Sequence, residues 1–242
     1  MMRVAIPTHH RSQTIEKHAL QFVLSVLKVD PKDVYVFVSD PDQLKEYQLR
    51  IGGHGINLVN ANTSTARDKF NFVHCYFEKG TDVLVVEDDV SGLVSRNDCP
   101  HIEIVKAGFR LMREEGKALW GIYPSANKFF MRESASVGFV FVVANVYGFI
   151  ADDSKELLIT EQSKTDYERS ILYYKHRGGA VRLNYAAAKT NNYTNKGGLQ
   201  LLPDRAKVES TACLNLLRRF PRLVSIKNGS KSKFMEIKLL AK

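Results

Sequence analysis

The sequence predicts an α/β protein with a mostly parallel central sheet flanked by helices, and three observations carry that prediction. Short apolar runs alternate with amphipathic stretches through residues 1–90 in the order βαβαβαβ. Two of the runs, Val34-Tyr35-Val36-Phe37-Val38 and Val83-Leu84-Val85-Val86, are apolar without interruption, which suits strands buried on both faces. The second run ends abruptly in Glu87-Asp88-Asp89, three adjacent carboxylates at a strand's C-terminal mouth, where open α/β sheets bind ligands.

Taken in order, Arg3-Val4-Ala5-Ile6 is a strand stopped by Pro7, and the loop after it, His9-His10-Arg11-Ser12, is polar and basic. Ile15, Ala19, Phe22, Val23, Val26 and Leu27 recur at helical spacing until Asp30-Pro31 ends the helix. Strand, helix and strand in this order close as a right-handed crossover between parallel strands. A short helix then carries Leu44 and Tyr47, and a strand follows around Ile56, Leu58 and Val59. Between them, Gly52-Gly53-His54-Gly55 has neither the spacing of a dinucleotide fingerprint nor the Gly-Lys-Ser/Thr of a P-loop, so an ordinary loop is expected. Ala66, Phe70, Val73 and Phe77 mark the next helix, closed by Lys79-Gly80.

The second half is more mixed, and an antiparallel part is expected there. Ile102, Val105, Phe109 and Met112 predict an amphipathic helix, and residues 119–123 a strand. Residues 137–150 are mostly β-branched and aromatic, consistent with one long strand or two short ones divided near Ala144-Asn145. Asp166-Tyr167-Glu168-Arg169 opens a helix that ends at Gly178-Gly179, ahead of a strand at Ala180-Val181-Arg182-Leu183. Residues 190–193 and 197–199 are expected to form a polar, aromatic loop.

Composition bounds the rest. A chain of 242 residues with 44% hydrophobic content suits one α/β domain, expected here over residues 1–242. No apolar run approaches bilayer-spanning length and the N-terminus lacks the features of a signal peptide, so a soluble, cytoplasmic protein is expected, with no membrane partner. Cys75, Cys99 and Cys213 match neither a disulfide framework nor a zinc knuckle, and are expected to be reduced thiols. The seven histidines show no ligand spacing. The formal charge of +9 favours polyanionic partners. Residues 210–235 contain no acidic residue but hold Arg218, Arg219, Arg222, Lys227, Lys231 and Lys233, either a solubilising surface or one that tracks phosphates.

Glu87, Asp88 and Asp89 repel one another and resist desolvation unless a cation or hydrogen-bond donors neutralise them. A divalent metal carrying a phosphorylated ligand is therefore the first candidate, and a solvated acidic turn the alternative. The tripeptide resembles the Asp-x-Asp metal signature of nucleotide-sugar glycosyltransferases of the GT-A fold, with Glu in place of the first Asp. The ordered series Ile6-Pro7-Thr8 with Arg11, Ala66-Arg67-Asp68-Lys69, Val86-Glu87-Asp88-Asp89, Gly121-Ile122-Tyr123-Pro124, Asp166-Tyr167-Glu168-Arg169 and Gly197-Gly198-Leu199 spans nearly the whole chain. It resembles the phage and kinetoplastid glycosyltransferases that place a sugar on hydroxymethylated pyrimidines in DNA, a family associated with TET/JBP-type base hydroxylases.

The resemblance implies a GT-A fold, a UDP-sugar donor (glucose first, arabinose or another sugar as alternatives), Mn2+ or Mg2+, and a hydroxymethylpyrimidine in DNA, or a sugar already on one, as acceptor. It divides the chain into a nucleotide-sugar-binding half, residues 1–99, and an acceptor-binding half, residues 100–242. Asp89 becomes the expected metal ligand. Glu87 would lie nearer the donor's ribose or sugar, with direct metal contact left open, and Asp88 would turn toward the sheet or bind through a water. Pro7, Thr8, Arg11 and Asp40 fall where uridine and diphosphate are expected. Arg67 is preferred to Lys69 for neutralising phosphate, because long cations usually occupy solvated faces. Asp166 is the candidate general base, with Glu168 in reserve and helix capping as the alternative for Asp166. A glycosyltransferase with a protein, lipid or polysaccharide acceptor and a non-catalytic nucleic-acid-binding domain are the rival readings.

Overall fold

The computed structural model describes residues 2–190, 204–227, 232 and 234–240. Met2–Pro7 (β1), Val34–Val38 (β2), Asn57–Asn60 (β3) and Asp82–Val86 (β4) are the predicted strands of the first half. Val90–Ser95 (β5) leaves the sheet; Leu119–Ile122 (β6), Ala135–Gly138 (β7), Val146–Ile150 (β8) and Ala180–Leu183 (β9) complete it. The resulting eight-stranded order is β3-β2-β1-β4-β8-β6-β9-β7. All pairings among β1 to β4 are parallel. The antiparallel part expected in the second half enters through β8, which runs against both β4 and β6, and through β7 against β9. Ala186–Thr190 (β10) pairs with β5, and Val224–Ile226 (β11) pairs with Ile237–Leu239 (β12), each as a small antiparallel sheet.

Helices Pro41–Ile51 (α1), Ala66–Tyr76 (α2), His101–Glu114 (α3), Thr165–Arg177 (α4) and Arg205–Arg219 (α5) cover the two faces. Val4, Ile6, Leu84 and Val86 pack with Phe22, Tyr47 and Met112 on one face. Ala5, Phe37, Val83 and Val85 pack with Val73, Ile171 and Leu216 on the other. Both sides of β1 and β4 are thus apolar interfaces, which is why Val4-Ala5-Ile6 and Val83-Leu84-Val85-Val86 are apolar at successive positions and not at alternate ones.

Several elements depart from the local pattern. Residues 16–26 form a wide helix with i→i+5 bonds, Leu20 N to Ile15 O at 3.0 Å and Leu27 N to Phe22 O at 2.9 Å. The wider turn buries Leu20 and leaves Val26, expected inside, 43% exposed. The apolar run at 137–150 resolves into two strands that lie apart, β7 at the sheet edge and β8 beside β4. Strands β5 and β10 went unpredicted: Ser91 and Gly92 interrupt one, and Ala186-Ala187-Ala188 favours helix by propensity. The window at 210–235, read for its charge, contains most of α5 and the strand β11. All three cysteines are unpaired, as expected. Among the described residues no helix is long and apolar enough to cross a membrane.

Trp120 on β6 is fully buried, and it fits only because Gly108 and Gly148 leave room for the indole. A Cβ at Gly148 would lie 2.1 Å from Trp120 Nε1 and 2.7 Å from Phe109 Cζ. Gly148→Ala should therefore destabilise the fold by about 1–3 kcal/mol or more, as overpacking does, seen as a lower urea midpoint. Gly53→Ala, whose Cβ would meet nothing within 4 Å, should leave the midpoint in place.

Candidate functional site

The chain turns sharply at the end of β4, with Val90 N donating to Glu87 O at 3.1 Å and Glu87 N donating to Asn145 O at 2.9 Å. This is not a solvated acidic turn, because Asp88 and Asp89 are only 5% and 4% exposed. Asp88 turns toward the sheet: Thr8 Oγ1 donates to its Oδ2 at 2.7 Å, and Arg11 Nη1 donates to its Oδ1. Behind Thr8 the bonds continue, since Tyr47 OH lies 2.7 Å from Thr8 Oγ1 and accepts from Arg11 N at 2.9 Å. With Thr8 donating to Asp88, the Tyr47 hydroxyl must donate to Thr8. Burial pushes that phenol up to about 12, which keeps it a donor.

Asp89 Oδ2 lies 3.4 Å from Arg11 Nη1, while its buried Oδ1 has no hydrogen-bond partner among the described residues. Burial, together with Asp88, raises the Asp89 acid. Burial pushes Glu87 up to about 8, helped by Asp89, Asp88 and Asp166. A cation placed among these groups would reverse both shifts. Among the described residues no three His, Cys, Asp or Glu side chains form a protein-only metal cage. The donor set fits another arrangement, a hard divalent cation held by one or two carboxylates and shared with ligand phosphate. Asp89, with its orphaned oxygen, and Glu87 beside it would hold that cation.

The other expected ligand residues divide. Pro7 ends β1 opposite Phe37, and Thr8 N extends the pairing by donating to Phe37 O at 3.0 Å. Asp40 caps α1, accepting from Gln43 N at 2.8 Å, which lowers its acid. Arg67 pairs with Asp68 at 2.8 Å and donates to Thr160 O at 3.2 Å. Lys69 reverses its expectation. It is 4% exposed, and its ammonium donates to Thr8 O and to Ser39 Oγ, the latter at 2.7 Å. The buried cation beside the β1 mouth is therefore Lys69, and Arg67 is engaged elsewhere. No local signal distinguished them, because burial here depends on how α2 meets β1 and β2.

A cleft of about 210 Å³ opens beside the carboxylate turn, lined among others by Glu87, Asn145, Phe70, Lys164 and Asp166. Asp166 is the second residue of α4 and does not cap it; Lys164, in the left-handed region at φ 56°, holds the cap position. Asp166 Oδ1 accepts from Tyr167 N at 2.9 Å, and burial raises its acid against the opposing charges of Arg169 and Lys164. Glu168, the reserve base, points elsewhere, because residues two apart on a helix do not share a face. It is fully buried and accepts from Thr160 N, Glu161 N and Arg219 Nη1 at 2.9, 2.8 and 2.7 Å.

Arg219 thus corrects the basic-surface expectation, since it anchors the segment leading into α4. Asn215 reaches the same segment through Glu161 at 3.1 Å, and Glu209 on α5 holds Lys164 at 2.8 Å. Lys227 pairs with Glu236 at 3.1 Å, while Arg218 and Arg222 are exposed. Lys231, Lys233 and the loop at 191–199 lie outside the described residues.

Lys69 carries a pH signature. Burial pushes its ammonium down to about 8, against about 10.4 in an unfolded chain. Between those values the folded protein has released a proton that the unfolded chain keeps. Stability should therefore rise with pH across that window, by up to about 1.4 kcal/mol per unit. Urea titrations at about pH 8 and about pH 10 should show the wild type gaining stability relative to Lys69→Met. A difference that does not change with pH would mean that Lys69 titrates normally.

No protein-family model matches the sequence, and no curated protein matches it. Solved structures do. TarS 1–349 of S. aureus in complex with UDP-GlcNAc is similar at a TM-score of 0.59 and 15% identity, over 89% of this chain and 66% of that one. Glucosyl-3-phosphoglycerate synthase of Mycobacterium tuberculosis, in complex with Mn2+, UDP and glucosyl-3-phosphoglycerate, gives 0.53 and 13%, over 99% and 87%. The mannosyltransferase PcManGT of Pyrobaculum calidifontis, in complex with GDP-Man and Mn2+, gives 0.51 and 12%, over 76% and 54%. The chain spans about half of the mannosyltransferase and just under two thirds of TarS 1–349. At these identities the likeness is one of fold: the chain has the GT-A glycosyltransferase fold.

Proposed function

We propose that this chain transfers a sugar, glucose first, from a UDP-sugar to the hydroxymethyl group of a pyrimidine in DNA, or to a sugar already attached there. The observation that carries the transferase reading is the juxtaposition of Glu87 and Asp166 across one cleft, beside the turn after β4 that bears Asp89. UDP or a UDP-sugar in the TarS and glucosyl-3-phosphoglycerate synthase structures supports the donor. The DNA acceptor is supported by the motif series of the sequence, the charge of +9 and exposed Arg218 and Arg222.

Displacing a nucleoside diphosphate from a sugar leaves concentrated negative charge, and its stabilisation sets the rate. Arg11 and Lys69 bring positive charge to the β1 mouth, where the diphosphate would lie. A divalent cation, when bound at Asp89 and Glu87, supplies the remaining neutralisation. Asp166 takes the proton of the acceptor hydroxyl. Its raised acid makes it a stronger base than a solvated carboxylate, and the charges of Arg169 and Lys164 offset part of the rise. Arg219, Asn215 and Glu209 act at a distance by fixing the segment from which α4 starts. A base within a duplex would be reached by local distortion or partial extrusion, unless its hydroxymethyl group is met directly in the major groove.

Asp166→Asn should lower kcat about 10²- to 10⁴-fold with little change in donor affinity, measured as UDP release under saturating acceptor. Asp89→Asn, or EDTA treatment of the wild type, should abolish transfer while the melting temperature of the variant stays near that of the wild type.

The acceptor is tested by incubating the protein with a panel of UDP-sugars, Mn2+ or Mg2+, and hydroxymethylated, unmodified or pre-glucosylated DNA, followed by nucleoside mass spectrometry. A hexose or pentose mass added only to modified DNA is the expected result. Donor turnover without any mass added to DNA would move the acceptor to another class. No turnover of any nucleotide sugar would end the transferase reading.

A further inference from the structure

Arg169 on α4 is 4% exposed, and neither Nη1 nor Nη2 has a hydrogen-bond partner among the described residues. Its guanidinium carbon stands 4.0 Å from the ring centroid of Tyr147 and 5.2 Å from that of Phe70. Stacking engages the face of the guanidinium and leaves its N–H edge to find acceptors of its own. His74 on α2, stacked at 5.4 Å on Phe149, presents a second orphan: its buried Nε2 also has no partner. Arg169 and His74 both line a small, partly open cavity of about 20 Å³, together with Tyr147, Tyr173 and Phe70. Phe70 also lines the cleft, so the cavity lies behind the cleft wall. Asp166, one turn before Arg169, lines the cleft and not this cavity.

The size and chemistry of the cavity narrow what it can hold. A volume of this order takes one water or one monatomic ion, and excludes a phosphate or a carboxylate-bearing molecule. Asp166 lies one turn away as a counter-charge but makes no hydrogen bond to Arg169, and buried N–H groups of a cation left without acceptors are costly, so an anion in the cavity supplies what Asp166 does not. A water could donate to the phenol oxygens of Tyr147 and Tyr173, but its two lone pairs cannot serve the three orphaned nitrogens, whereas a halide accepts from all three. We propose that this cavity binds a single halide ion, chloride under ordinary conditions, which accepts from Arg169 Nη1 and Nη2 and from His74 Nε2. His74 is then the tautomer with its proton on Nε2. Burial and the Arg169 charge push its imidazolium down to about 4, so the ring donates as a neutral group.

Two measurements test the site on the full chain. Crystals grown or soaked in sodium bromide, with data collected at the bromine edge, should give an anomalous peak between Arg169 and His74. Density there without anomalous signal would identify a water and overturn the proposal. In solution, replacing sodium gluconate by sodium chloride or bromide at constant ionic strength should raise the wild-type Tm by roughly 2–4 °C. The shift should vanish in Arg169→Met and shrink in His74→Phe, which keeps the stack on Phe149. Equal Tm values for the wild type in all three salts would also refute it, whether or not either variant folds.

Discussion

Asp88 accepts from Thr8 and from Arg11, and through those two bonds the loop leaving β1 is fastened to the turn leaving β4. These are adjacent parallel strands, so the fastening closes the C-terminal edge of the sheet at the one place where three carboxylates converge. Once Asp88 is committed to protein donors, Asp89 and Glu87 are left with burial and mutual repulsion but few partners. That imbalance is the physical character of the site. It raises the acids of both residues and makes the pocket favourable for an incoming positive charge. Tyr47 and Lys69 serve the same construction from behind, one by donating to Thr8 Oγ1 and the other by donating to Thr8 O.

The α4 side of the cleft is built by a different device. Helix α4 brings Asp166 to the cleft, and its approach is set by the chain just before it, residues 160–164. Helix α5 grips that segment through Arg219, Asn215 and Glu209, and Glu168 completes the grip from α4 itself. Charged residues that look like a solvated surface in one dimension are here the fasteners of a loop. Their removal would act on Asp166 through its position and not through contact with a ligand.

The sequence by itself determined the sheet's first half and the position of the three carboxylates at the end of β4. Continuous apolar strands report burial on both faces, helical spacing reports one-sided burial, and a strand that ends in Glu87-Asp88-Asp89 has few physical uses other than holding charge. All of these are local patterns, written in the periodicity of side chains along one element. The tertiary structure alone decided which charged groups face the cleft. Lys69 is buried and Arg67 is on a salt bridge, Glu168 is an anchor and Asp166 lines the pocket, and Arg219 binds inward where Arg218 does not. Arg67 meets its neighbour Asp68, but the burial of Lys69 and the anchoring of Glu168 depend on partners 30 or more residues away, Ser39 and Arg219. The energy of a charge is set by its desolvation and its nearest counter-charge, and neither quantity exists until the distant elements have packed.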